Sequence, residues 1–223
     1  MDTSDIITVA GPIIEAFERM NISYYIGGSV ASSAYGILRG TLDVDIVADV
    51  KSHHVNLLVK MLEADYYIDA EMILEAIQRQ ASCNLIHLET MHKVDIFILK
   101  TSPYNQEAFQ RRRKDALDEE ENPDLEFYFA SAEDIILSKL DWFRMGGGVS
   151  DRQWMDVMGV LKVQKDSLDL PYLQHWAEEL GLTDSFAQAC RDAGIYEDSS
   201  QETTDIISDL LPQEKPDENI PHA

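Results

Sequence analysis

Cysteine is scarce, with two among 223 residues. Cys83 and Cys190 lie far apart, and neither sits in a CxxC or Cys/His cluster. That excludes a disulfide scaffold or a zinc finger and reads as two reduced structural thiols of a cytoplasmic protein. Long apolar runs are missing too: none reaches the roughly 18 residues that a membrane span requires. The start, MDTSDIITVAGPIIEAF, carries acidic early charges and lacks the basic residues and cleavage site of a signal peptide. Positive charge is the third shortage. Lys and Arg number 18 against 41 Asp and Glu, a formal net charge of −23. Phosphate backbones are held by Lys and Arg, which release counterions. A chain this acidic repels a long polyanion, so DNA and RNA are disfavoured partners. The same charge also serves solubility alone.

What is present is a foldable chain, with 45% apolar residues and hence enough to build a core. Apolar spacing predicts a helix over 5–20, interrupted near Gly11-Pro12, where proline suits a first helical turn. Residues 23–26 read as a strand ending at Gly27-Gly28, and 29–38 as a helix. DVDIVADV at 43–50 alternates acid with Val, Ile or Ala, which is a period-two strand. Helices are predicted over 53–64 and 70–79. Strands at 83–88 and 93–99 are joined by Thr90-Met91-His92 as a hairpin. Another short strand is predicted at 126–129. From Ser131 onward the pattern is helical: a capped helix ending at Gly146-Gly147-Gly148, then helices at 151–164, 169–180 and 183–193. Residues 197–223 carry eight acidic side chains and Lys215, a composition that predicts disorder. The expected fold is α/β (α+β). A mixed sheet flanked by helices occupies 1–130, a C-terminal helical bundle 131–196 and an acidic disordered tail 197–223.

Carboxylates at i and i+2 of a strand share one face. Asp43 and Asp45 do so, with Val44 and Ile46 directed to the core. Lys93-Val-Asp95-Ile-Phe-Ile offers a third acid on another strand. Acids are disfavoured in mid-strand, and their presence there points to a purpose. Such a set of hard oxygen donors suits magnesium together with substrate phosphates. Gly27-Gly28-Ser29, a strand ending in glycines and opening a helix, presents backbone N–H groups to an anion.

In combination these signals resemble the signature of the DNA polymerase beta-like nucleotidyltransferases. The matching run is YYIGGSVASSAYGILRGTLDVDIVADV, followed by KVDIFIL. The later helices, SAEDIILSKLDWF onward, resemble stand-alone bacterial members near the abortive-infection toxins and the small-molecule adenylyltransferases. The resemblance implies two magnesium ions held by Asp43 and Asp45, with Asp95 on the catalytic one and helping to deprotonate the acceptor. It implies Gly27, Gly28 and Ser29 on the phosphates of a nucleoside triphosphate donor, Lys139 reaching the triphosphate, and Arg39 and Thr41 on the nucleotide side just before the acids, with Arg39 contacting phosphate or bracing the loop. Arg152 and Asp156, facing one another at i and i+4, would line the acceptor pocket.

The activity implied is transfer of a nucleoside monophosphate, AMP by expectation, to a hydroxyl of a small molecule or a protein. Two alternatives stand beside it. One is a toxin with an antitoxin-type protein partner that modifies tRNA or another macromolecule; the other is a nucleotide-binding module without catalysis. Several residues also have plainer readings. Lys139 fits a solvated helix lysine, and Arg152–Asp156 fits a surface i,i+4 pair. Arg111-Arg112-Arg113-Lys114 reads as a solvated helix face, because the acidic run directly after it neutralises it. Trp142, Trp154 and Trp176 sit at core spacings.

Overall fold

A computed structural model describes residue 1 and residues 3–37, 40–116 and 125–195. Arg39 and the acidic tail, 197–223, lie outside the described residues.

Two strands with period-two burial make the centre. β2 (Asp43–Ala48) and β5 (Lys93–Ile98) each alternate half-buried with buried positions. They run parallel, with Asp43 beside Lys93, Asp45 beside Asp95 and Val47 beside Phe97. One face of the pair is therefore polar. On the other, Val44, Ile46, Val94 and Ile96 are at most 1% exposed.

A parallel pair needs a long crossover. Here it comprises α3 (Val55–Leu62), the two-residue β3 (Tyr66–Tyr67), α4 (Ala70–Arg79) and β4 (Ser82–His87). β4 then forms the expected hairpin with β5, and Met91 takes φ 59° in its turn. On the far side of β2, β1 (Tyr24–Ile26) pairs antiparallel with it and parallel with β7 (Glu126–Phe129). β6 (Arg113–Ala116) closes that edge. The order is β3-β4-β5-β2-β1-β7-β6, one mixed sheet.

α1 (Thr3–Arg19) packs against α3 and β5. It buries Val9, Ile13 and Phe17, and the Tyr66 hydroxyl donates to the Val9 carbonyl at 2.8 Å. The helix runs unbroken through Pro12, where the sequence suggested an interruption. A proline inside a helix costs about 3 kcal/mol, and burial of this long apolar face offsets it. Nearer the polar face of the sheet lie α2 (Gly28–Tyr35), α6 (Ala132–Met145) and α7 (Asp151–Gln164), packed on one another. α8 (Leu170–Glu179) and α9 (Thr183–Ala193) back them. The architecture is α/β: a mixed sheet flanked by helices, followed by a helical bundle. Among the described residues, no helix is long and apolar enough to cross a membrane.

The basic run differs most from expectation. Arg111 ends α5 (Pro103–Gln110), while Arg113 and Lys114 lie in β6. Arg111 lies over the Tyr172 ring at 3.8 Å and meets Glu133 at 3.2 Å, Asp134 at 3.9 Å and Asp169 at 3.8 Å. Glu133 and Asp134 are buried at the start of α6. Asp134 also accepts hydrogen bonds from Tyr172 and Ser131, each at 2.7 Å. What reads as a solvated face is therefore in part a bolt joining α5, α6 and α8, because buried acids require a cation.

Candidate active site

The alternation of β2 and β5 brings the three acids together. Asp45 and Asp95 are direct neighbours across the parallel pair, and Asp43 stands two residues before Asp45 on the same face. Thr41, itself buried, braces Asp43 with a hydroxyl directed at its carbonyl, 3.0 Å, and its Oδ1, 3.1 Å. The Met1 ammonium donates to the Thr41 carbonyl at 2.6 Å. Asp95 is met by Lys93 at 2.6 Å. Burial above all, and then the charges of Asp43 and Asp95, push the Asp45 carboxyl up to about 6. Three negative groups crowd one small region, and this is a donor set that a hard cation fits. Among the described residues, no three His, Cys, Asp or Glu side chains already converge as a cage. Magnesium does not require one, since it keeps several waters and takes only one or two carboxylates plus phosphate oxygens.

Gly27 and Gly28 stand directly beside these acids. The Gly27 amide donates to the Asp45 carbonyl at 2.8 Å, extending the β1–β2 ladder by one rung. Gly28 begins α2 at φ +56°, and a Cβ there would overlap the Asp45 carboxylate. The strand therefore turns into the helix against the acid itself, with room for backbone only. Ser29 follows at 6% exposure, and Arg152 Nη2 donates to its Oγ at 3.4 Å.

Lys139 is not a solvated helix lysine. It is 5% exposed, and its Nζ meets Asp156 at 2.8 Å. The helical spacing that suggested an Arg152–Asp156 pair gives way to tertiary pairing, Asp156 with Lys139 and Arg152 with Ser29. Asp156 positions Lys139 and does not itself line the cavity. Truncating one partner of a buried pair costs about 3–5 kcal/mol, whereas replacing both with apolar groups costs far less. Asp156→Ala is therefore expected to lower the melting temperature strongly. The double variant Lys139→Met/Asp156→Leu is expected to regain most of that loss but not nucleotide binding. Thermal melts and calorimetry on both variants check this.

A cavity of about 740 Å³ joins these parts. Its lining includes Asp43, Asp45, Asp95, Gly27, Gly28, Ser29, Lys139 and Arg152. Away from the glycines it runs along the sheet past Val47, Phe97 and Ser82, beneath Trp142 and Met145 of α6. Trp142 is 52% exposed, and its ring meets Phe97 edge-on at 6.3 Å. It is a cavity wall and not the core residue its spacing suggested; Trp176, at 7%, is core. Among the described residues, the lining carries five aspartates against Lys100, Lys139 and Arg152. Sequence reasoning missed Trp142, Phe97 and Lys93 as site residues. The signal was available: Phe97 and Lys93 lie two residues from Asp95 on its strand, and Trp142 is three residues from Lys139 on its helix.

No protein-family model matches the chain, and no curated protein matches it. Solved structures do resemble it. A lincomycin-bound lincosamide antibiotic adenylyltransferase, LnuA, is 18% identical over 68% of this chain and 93% of its own, with a TM-score of 0.44. The antibiotic-resistance factor ANT(2'')-Ia, in a solution structure, is 15% identical over 87% and 96%, with a TM-score of 0.49. An antigenic nucleotidyltransferase-like protein from Paracoccidioides brasiliensis is 17% identical over 80% and 89%, with a TM-score of 0.45. Likenesses of this size carry neither family membership nor chemistry across to this chain.

Proposed function

We propose that the protein is a nucleotidyltransferase of the DNA polymerase beta-like superfamily. It moves a nucleoside monophosphate, AMP by preference, from a magnesium-bound nucleoside triphosphate to a hydroxyl of a small molecule. One observation carries the reading. Asp45 stands directly across from Asp95 on a parallel strand, with a Gly-Gly-Ser helix start pressed against it so closely that Gly28 admits no side chain. Metal ligands and a phosphate cradle are then in contact, as a triphosphate bridging both requires.

In this reading Asp43, Asp45 and Asp95 would hold magnesium, which when bound would supply charge neutralisation to the triphosphate. Gly28 and Ser29 bind the β- and γ-phosphates through backbone N–H groups and the Ser29 hydroxyl, while Gly27, its N–H given to the Asp45 carbonyl, holds the turn against β2. Lys139 and Arg152 add positive charge at that end, and Thr41 fixes Asp43. The acceptor oxygen attacks the α-phosphorus in line. The new P–O bond forms as the bond to pyrophosphate breaks, and the hydroxyl proton passes to the Asp95 carboxylate. The wall of Phe97 and Trp142 lies beyond Asp95, on the side away from the phosphate cradle, and takes the apolar part of the acceptor. The acidic lining supports a small acceptor over a nucleic acid.

Incubation with labelled nucleoside triphosphates, magnesium and a cell extract tests the reading. Label is expected in a low-molecular-weight product. Label only in RNA or protein would overturn the acceptor class, and no incorporation would overturn the activity. With the acceptor in hand, Trp142→Ala is expected to raise its KM about tenfold, the equivalent of ~1.4 kcal/mol of lost apolar contact. Nucleotide affinity by calorimetry should stay unchanged.

A further inference from the structure

Lys93 has no part in the chemistry above, yet it stands in the middle of the acids. It opens β5 directly opposite Asp43, two residues before Asp95 and on the same face. Its ammonium meets Asp95 Oδ2 at 2.6 Å. Among the described residues, Lys139 and Arg152 of the same cavity have partners of their own, Asp156 at 2.8 Å and Ser29 Oγ at 3.4 Å, and Lys139 also acts through space on Asp45. A positive charge held against Asp95 occupies the same electrostatic niche that a metal would.

We propose that Lys93 is a tethered counter-ion, whose ammonium offsets part of the charge of the carboxylate triad in the metal-free protein and is displaced from Asp95 when a divalent cation binds. The inference rests on the metal-site reading above. Two further observations support it. The Lys93 side chain is 42% exposed, against 17% for Asp95, so the ammonium can swing into water on its four-carbon stem without leaving a hole in the core. The neighbouring charges of Asp43 and Asp95 act against ionisation of Asp45, so the metal-free fold gains from a positive charge beside them. A divalent ion brings twice the charge to the same oxygens and repels the ammonium as it arrives. The lysine thus steadies the acids in the metal-free protein and weakens their grip on metal.

The test uses the full-length protein and its Lys93→Met and Lys93→Arg variants. Mn²⁺ affinity is read from the electron paramagnetic resonance signal of free Mn²⁺, and stability from thermal melts with and without Mg²⁺. Lys93→Met should bind Mn²⁺ about tenfold tighter than the wild type, a charge–charge effect discounted for exposure. It should melt lower than the wild type without metal, with the gap closing in saturating Mg²⁺. Folding of Lys93→Met only when metal is present would be the stronger form of that result. Lys93→Arg, which keeps the charge, should match the wild type. Equal or weaker Mn²⁺ binding by Lys93→Met overturns the proposal and leaves the metal site standing. If that comes with weaker nucleotide binding, Lys93 is a phosphate ligand instead. Absence of Mn²⁺ binding by the wild type overturns the metal site itself, and this inference with it.

Discussion

Asp45→Asn is expected to lower turnover about a thousandfold or more while leaving the fold intact. Charge stabilisation by bound metal is worth several kcal/mol in the transition state, and the substituted amide is a far poorer ligand than a carboxylate. Asp45 is the sharpest place to apply the test, being the central acid of the three. It neighbours Asp95 across the sheet and shares its strand face with Asp43. Asparagine has the same shape and can keep the Asp45 packing. It also removes one of three crowded negative charges, so the metal-free variant should melt higher than the wild type. Each kcal/mol relieved corresponds to roughly 2–4 °C in a chain of this size. The upward shift that Mg²⁺ produces in the wild type should shrink or vanish in the variant. A stabler protein with no turnover is the signature of an acid kept for function. Retained turnover would remove Asp45 from the site.

Gly28→Ala should be nearly as damaging, and by a different route. Gly28 holds φ +56°, a region that costs a residue with a Cβ about 1–2 kcal/mol. The added methyl would also collide with the Asp45 carboxylate, so the acid or the helix start must move. Nucleotide affinity is expected to fall by more than about tenfold, since a phosphate cradle built from backbone tolerates little displacement. The neighbouring glycine is the control. Gly27 has φ −118°, and a Cβ there would meet only a Tyr25 ring carbon at 3.6 Å. Gly27→Ala should therefore stay close to the wild type in both melting temperature and nucleotide affinity. Similar behaviour of the two variants would mean that the closeness of Gly28 to Asp45 has no bearing on function.

The parts that were legible in the sequence share a physical cause. DVDIVADV and KVDIFI announce their strands because alternation of acid with Val, Ile or Phe fits only a sheet with one polar face. The helices after Ser131 announce themselves through caps and apolar spacing, and Ser131 does cap α6. What was missed has causes of its own. β3 is two residues long, too short to show a period. β6 is an edge strand with an almost wholly exposed pattern, so no apolar alternation marks it. α5 buries only Ala108 and Phe109. Pairings across the fold are invisible to local spacing. A helix period puts Arg152 and Asp156 on one face, but it cannot reveal that Lys139 of another helix is pointed at the same carboxylate. Trp142 shows the converse: a helix stripe marks residues that face inward, and inward here includes the wall of a cavity.

The side-by-side pairing of β2 and β5 has a consequence for how this protein can change over generations. Length variation is ordinarily absorbed at little cost, but not within these strands. One residue inserted between Val44 and Asp45 would turn every following side chain of the strand to the opposite face. Asp45 would point into the hydrophobic interior and Ile46 would turn to the cavity side. Core and site would fail in one event, whereas no single substitution harms both so completely. Descendants of this chain should therefore differ in the number of residues around the helices, and keep the count between Asp43 and Ala48 unaltered.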